Sequence, residues 1–334
     1  VSRQKIISLI SGLLIGIILL VIWLIVNPPQ EIVRQCAKVN LNWVLLASVV
    51  YLSAYFIRST RWRLLLPESV NPGLITTWFY AMGGNLINYL IPIRAGDVAR
   101  AWFIKRNHNI SLARSLPSVF IDKAFDTIAI LFIVIILPFS AIELSSSMMV
   151  LLGLLIVVFL LTLLLLISAA WQKTLVTKVL QYPVRLLPVR FRGSLNQGIE
   201  TFVNELNLFE HHPLRLVAAT GLTAIGVLLD GLYFFLLFKA FGVPYPFPLA
   251  LFGYTLINLS YALPQPPAQL GSNEWMMIII FSVGFGLTKT TASAIMAFAH
   301  ILTATLMTFW GALAFLKLGP EIISKIFKGE KIDD

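Results

Sequence analysis

Positions 88–102 read NYLIPIRAGDVARAW, and this is where the chain's residue types first suggest chemistry. An apolar run reaches Pro92 and Gly96, which break it, and a second helical arm starts behind them. The first N–H groups of such an arm have no intrahelical partner, and with the helix dipole they attract an anion. Arg94 sits in the turn, and Asp97 and Arg100 lie one helical turn apart at the start of the arm. Guanidinium forks suit phosphate oxygens. Snorkelling of Arg94 and Arg100 to a headgroup layer is the plainer reading beside it.

A second interruption, SYALPQPPAQLGSNEW, occupies positions 260–275. Its second arm opens with Gly271, Ser272, Asn273 and Glu274. Ser272 or Asn273 suits an N-cap, and Glu274 suits either a cap or a proton site. Two helix N-termini and one or two arginines together make an anion clamp. Phosphate esters of lipids are the anions such a clamp would meet in a membrane.

Other charges fall inside apolar runs, where they cost a few kcal/mol or more unless partnered. In FIDKAFD, Asp122 and Asp126 share a helix face around Lys123. They can hold a metal, pair with Arg94 or Arg100, or sit among headgroups, and the ion pair is favoured. Asp230 lies near the middle of the run 214–241 and is expected to face the interior as an ion-pair partner or proton carrier. His300, halfway along the last run, is read as a packing residue first and a proton carrier second.

The elements that must position these residues are apolar. Of 334 residues, 58% are hydrophobic and 12% are charged, and mean hydropathy is +0.87. Soluble domains carry roughly a quarter charged residues, so the chain is expected to be an all-α polytopic membrane protein. The net charge of +10 then reads as membrane orientation, and nucleic acid is not an expected partner. The one cysteine, Cys36, excludes an internal disulfide.

Six runs are long enough to cross a bilayer: 6–26, 41–57, 117–139, 147–169, 214–241 and 291–316. The first shows no small-residue cleavage site before Asn27 and is read as a retained span. Its Gly12-x-x-x-Gly16 offers a helix-packing face. The two broken stretches are read as re-entrant hairpins. With that assignment, lysines and arginines of the inter-span segments divide 19 to 3 between the two sides. Both termini are therefore expected in the cytoplasm, in the plasma (inner) membrane. The expected organisation is an N-terminal membrane repeat (1–170, cytoplasmic-side re-entrant element at about 76–107), a basic amphipathic linker (171–213) and a C-terminal repeat (214–334, outside re-entrant element at about 249–286). Inverted repeats with matching broken helices point to a transporter's binding site. Eight tryptophans near run ends read as an interface belt.

No ATP-binding P-loop, H-E-x-x-H, Cys/His metal spacing or G-x-S-x-G elbow is present. No cofactor and no metal site are expected, and an enzyme would have to place its chemistry within the membrane or at its lip.

The motifs resemble a known family. PIRAGDVAR (92–100) is similar to the P-x-R-x-G-E-x-x-R pattern of the membrane domain of lysylphosphatidylglycerol synthases. IDKAFD stands where that family carries E-R-x-x-D, and PPAQLGSNE resembles its P-G-G-x-G-x-x-E. Asp97 replaces Glu, Asp122-Lys123 replaces Glu-Arg, and Ala268-Gln269 replaces the paired glycines. The resemblance implies an integral-membrane lipid translocator with re-entrant helices in inverted repeats. Some members are fused to a soluble aminoacyl-transferring domain. These 334 residues contain none, so lysyl transfer is not expected of them. Other relatives are associated with polyprenyl-linked sugars. The expected activity is a flippase or scramblase for an anionic phospholipid or a polyprenyl-phosphate-linked headgroup. The alternatives are a membrane-embedded transferase acting on a lipid or polyprenyl phosphate, and a non-catalytic subunit or solute transporter. A homo-oligomer or a partner enzyme is left open.

Overall fold

The computed structural model describes residues 3–67, 69–91, 95–108, 110–136, 213–261 and 265–318, with isolated positions between 150 and 200. Pro92, Arg94, most of the run 147–169 and of the linker 171–213, and the tail from 319 lie outside the described residues. Every described element is a helix. They are α1 (Arg3–Val26), α2 (Pro29–Cys36), α3 (Leu41–Leu64), α4 (Leu74–Leu90), α5 (Ala95–His108) and α6 (Leu112–Ile136). The second half holds α7 (Pro213–Ala240), α8 (Phe247–Ser260), a 3₁₀ turn (Pro267–Gln269), α9 (Ser272–Met277) running into a π segment (Ile278–Gly284), and α10 (Lys289–Leu318).

The distribution of polarity is that of a protein dissolved in lipid. Ile25 and Leu45 are 78% and 68% exposed, whereas Arg61, Asp122 and Glu274 are 1%, 2% and 3% exposed. Charge is inside and hydrocarbon outside, the arrangement that a bilayer solvent favours. The chain is an integral membrane protein. Among the described residues, α3, α7 from Leu214 and α10 are long and apolar enough to cross. The α1–α2 pair would make a fourth crossing, bent by 86°. That bend falls at Asn27-Pro28-Pro29, where Pro29 begins α2 without needing an N–H donor. Buried Asn27 holds the corner by donating to the Trp23 carbonyl at 2.8 Å and accepting from Ser293 Oγ at 3.0 Å. Helix α6 is 25 residues long but carries Asp122, Lys123 and Asp126 in its middle.

Both interrupted stretches fold back on themselves. In the first, α5 packs antiparallel along α4, and glycine sets the distance. A Cβ on Gly96 would lie 1.8 Å from the Gly84 carbonyl oxygen, so the two backbones touch. Further along, Tyr80 stacks on Phe103, with centroids 5.6 Å apart. Gly96→Ala should force this hairpin apart and cost about 3 kcal/mol, seen as a lowered unfolding midpoint in detergent. In the second, Phe281 of the π segment packs on Gly253 of α8, where a Cβ would meet the ring at 2.1 Å. Phe281 also meets Phe234 and Phe238 of α7, which ties this hairpin to the core.

The Gly12-x-x-x-Gly16 face of α1 packs on the second break itself. Gly12 approaches Pro267, and Gly16 approaches Pro266 and Leu270. Trp275 Nε1 donates to the Leu19 carbonyl at 2.9 Å. The expected tryptophan belt is only partial, because Trp23, Trp62 and Trp78 are buried. Trp62 serves as an internal platform, with its indole N–H donated to Ser118 Oγ at 3.1 Å.

Candidate functional site

The charges that stand far apart along the chain meet in one network, with the favoured ion pair formed between Asp122 and Arg100. Asp122 of α6 accepts from Arg61 Nε at 2.8 Å and from Arg100 Nη2 at 3.0 Å. Arg61 also lies 2.9 Å from Asp126 and donates to Thr223 of α7 at 3.0 Å. Arg58 forks onto Asp230, one arm at 3.0 Å and the other in close contact with Oδ2, and stands 3.5 Å from Asp126. The Arg100 guanidinium lies over the Trp62 ring at 4.1 Å. Four helices are joined this way: α3, α5, α6 and α7.

Arg58 and Arg61 were not among the expected site residues. They fall where the sequence reads as a loop after a span ending at 57, and there they count among the basic residues of one membrane side. The helix instead continues to Leu64, because each guanidinium finds a carboxylate on a neighbouring helix. A signal was available in their spacing: positions 58 and 61 share a helix face with Tyr51 and Tyr55.

The start of α5 is more occupied than the expected anion clamp requires. Asn88 of α4 accepts the Gly96 N–H at 2.8 Å and donates to Asp97 Oδ1 at 3.0 Å. Lys123 approaches the same Asp97 oxygen at 3.8 Å. Of the residues expected at the first break, Gly96, Asp97 and Arg100 thus have intramolecular partners, and Arg94 lies outside the described residues.

At the second break, His300 of α10 gathers three groups. Its Nδ1 lies 2.6 Å from Glu274 Oε1, and its Nε2 lies 2.8 Å from the Ala268 carbonyl and 3.1 Å from the Tyr89 hydroxyl. A carbonyl only accepts, so Nε2 carries the proton that it donates to Ala268. One further proton must then lie between Nδ1 and the carboxylate. Tyr89 stands at the end of α4, so this imidazole links the first half of the chain to the second break. The turn is otherwise held by Ser272 Oγ donating to the Gln269 carbonyl at 2.9 Å and Asn273 Nδ2 donating to Gln269 Oε1 at 2.9 Å. Neither Ser272 nor Asn273 caps α9 through its side chain. The residue preceding the helix is Gly271, at φ 75°.

Between these two assemblies lies a cavity of about 400 Å³. Its walls come from both halves: Asn85, Asn88 and Tyr89 of α4, Asp97 and Arg100 of α5, Asp122, Lys123, Asp126 and Thr127 of α6, Asp230 and Tyr233 of α7, Tyr254 and Asn258 of α8, and Gln265, Asn273 and His300. That volume lies within the roughly 300–1,000 Å³ of small-ligand sites. Among the described residues, no group of three His, Cys, Asp or Glu side chains is placed to share a metal ion.

The family model described as the lysylphosphatidylglycerol synthase transmembrane region matches residues 9–311. The chain belongs to that family. Within the lysylphosphatidylglycerol synthase transmembrane-region family, it is similar to UPF0104 membrane protein MJ1595 of Methanocaldococcus jannaschii, 22% identical over 97% of this chain and 98% of that one. It is also similar to UPF0104 membrane protein MJ1078 of the same organism, 22% identical over 69% of this chain and 92% of that protein. Glycosyltransferase AglD of Haloferax volcanii is 27% identical over 128 residues, 37% of this chain. The match spans only 20% of the length of AglD. No solved structure matches.

Of the described residues at the family's motif positions, Asp97, Arg100, Asp122, Lys123 and Asp126 line the cavity. Its paired glycines correspond to Ala268 and Gln269, and these two residues have φ of 53° and 57°. That left-handed region costs a residue with a Cβ about 1–2 kcal/mol, so the glycine pattern has a backbone cause. Ala268→Gly is expected to stabilise the fold by about 1 kcal/mol, read as a higher unfolding midpoint in detergent.

Proposed function

We propose that the chain is a lipid translocator, a flippase or scramblase, that passes the headgroup of a phosphate-bearing lipid or a polyprenyl-phosphate-linked group through this cavity while the tails stay in the bilayer. The observation that carries the reading is a polar cavity formed where two broken helices meet inside a protein whose outer surface is hydrocarbon. Interrupted backbone at membrane depth persists only where protein or a wet cavity satisfies it. The hairpin arms support re-entry. At about 1.5 Å per residue, α4, α5 and α8 span about 26, 21 and 21 Å, short of roughly 30 Å of hydrocarbon. In this reading the two halves are inverted repeats and both termini face the cytoplasm across the inner membrane. Arg58, Arg61 and Arg100 no longer count as headgroup charges there, and the remaining positive-inside asymmetry still favours that orientation. Arg94 is the cation proposed to meet the phosphate at the first break. His300 and Glu274 form the proton-bearing link.

Reconstitution into liposomes tests this. A headgroup-labelled anionic phospholipid or polyprenyl phosphate should cross at least tenfold faster than in empty vesicles. Rates equal to those of empty vesicles for these lipids and for polyprenyl-phosphate-linked sugars alike would refute translocation.

A second reading, a membrane-embedded transferase acting on a lipid or polyprenyl phosphate, draws on the partial similarity to a protein named a glycosyltransferase. Asp122 and Asp126 would have to supply its chemistry, but both face arginines. A mass-shifted lipid product formed in the presence of Mg²⁺ or Mn²⁺ and a sugar donor would establish it.

A further inference from the structure

We infer that the cavity receives a neutral, polyhydroxylated headgroup, a glycosyl group, and not the phosphate itself. This rests on the translocator reading and names the class of group that enters its site.

The argument begins with which polar groups are already spent. Each described cation in the cavity wall has a carboxylate: Arg58 has Asp230, Arg100 has Asp122 and Lys123 has Asp97. The Gly96 N–H at the start of α5 is taken by Asn88. A phosphate entering here would have to displace an aspartate from its arginine and bury it alone, which costs several kcal/mol. An ammonium meets the mirror image of that cost, because the arginines hold the carboxylates that it would need.

In the wall, Arg100 Nε and Asp126 Oδ1 also lack a hydrogen bond, but both side chains are held in ion pairs, and the other groups left without partners there are neutral. Asn273 Oδ1 and the Tyr233 hydroxyl are buried in the wall with no hydrogen bond. The side-chain amides of Asn85 and Asn258 also line the cavity, and neither hydrogen-bonds to another described residue. Amides and phenols offer both donors and acceptors, as sugar hydroxyls do, whereas a phosphate offers acceptors only. The tyrosines supply the remaining match. Tyr51, Tyr233 and Tyr254 form a contiguous ring cluster along one wall, with Tyr51–Tyr233 and Tyr233–Tyr254 centroids 5.2 and 6.0 Å apart. Aromatic rings of this kind offer apolar area to the C–H groups of a pyranose while their hydroxyls reach its oxygens.

Two short-chain probes test the inference on the full-length protein in detergent, by tyrosine and tryptophan fluorescence: glucosyl-dihexanoylglycerol and dihexanoyl phosphatidic acid. The glucosyl probe should bind at least tenfold more tightly. Asn85→Leu and Asn258→Leu break no hydrogen bond to another described residue, so each should keep the wild-type unfolding midpoint and weaken the glucosyl probe about tenfold. Tighter binding of phosphatidic acid, or unchanged glucosyl binding in both variants, overturns the proposal, as does binding of neither probe. In liposomes, glucosyl-diacylglycerol and glucosyl polyprenyl phosphate carry the same sugar on different anchors. Faster movement of both than of phosphatidic acid supports the proposal, and faster movement of one alone also identifies the anchor. Rapid movement of phosphatidic acid with neither glucosyl lipid moving refutes the sugar while leaving translocation standing. No movement of any lipid refutes translocation, and the detergent binding result still decides the sugar.

Discussion

Asp122→Ala is expected to cost about 3–5 kcal/mol of folding stability, because it strands buried positive charge. Asp122 is the centre of the network, accepting from Arg61 at 2.8 Å and from Arg100 at 3.0 Å. Arg61 would keep Asp126 at 2.9 Å. Arg100, 4% exposed, would keep only the Trp62 face, and a cation–π contact of about 2 kcal/mol does not replace a carboxylate. Denaturant titration in detergent should show the loss, with Asp97→Asn as the comparison. The Asp97–Lys123 pair is 3.8 Å apart and its lysine is 35% exposed, so that variant should lose no more than about 1 kcal/mol. The double variant Asp122→Ala/Arg100→Met should recover part of the loss by removing the stranded charge. An Asp122→Ala protein as stable as the Asp97→Asn protein would mean that the network contributes little.

The second large effect is expected at His300. Removing its imidazole in His300→Ala leaves Glu274, 3% exposed, without its partner at 2.6 Å. The other carboxylate oxygen, Oε2, already has none. The Ala268 carbonyl and the Tyr89 hydroxyl lose their common contact at the same time. A loss of about 3 kcal/mol is expected, and translocation should fall more than tenfold because the two breaks are no longer tied. Glu274→Ala should produce a similar loss. The two changes should not add: in a double-mutant cycle, residues sharing one bond couple by about 0.5–3 kcal/mol. Additive losses within about 0.5 kcal/mol would show that the two side chains act separately. Glu274→Gln keeps the shape and removes the carboxylate, so it separates packing from proton sharing. Wild-type translocation in Glu274→Gln would exclude a proton role for the pair.

The expected clamp and the observed site differ in one physical respect. The clamp leaves Arg100 and the α5 N-terminus free to attract an anion, whereas Asp122 takes Arg100, the ion pair that the sequence also favours, and Asn88 takes the Gly96 N–H. A sequence lists charges in order along the chain, whereas their neutralisation depends on which helices face one another. Arg58 and Asp230 are 172 residues apart and yet form a forked pair. No local pattern announces such a partner. Hydropathy makes the error systematic, since it scores an arginine by its cost in lipid and ends the span there. Once Asp122 and Asp126 cover that cost, α3 runs on to Leu64.

The solvent, the family resemblance and the two interruptions are legible along the chain, because prolines, glycines and long apolar runs act through local backbone geometry and transfer energy. The sequence also marked Asp122, Asp126, Asp230, Glu274 and His300 as charges or polar groups that need partners. Who those partners are, that α1 rests its glycines on the second break, and which amides and phenols of the cavity wall stay unsatisfied beside the paired charges emerge from the packing of the helices. Pairing is a long-range property: it follows from helix packing, and packing follows from side chains that meet only after the chain has folded.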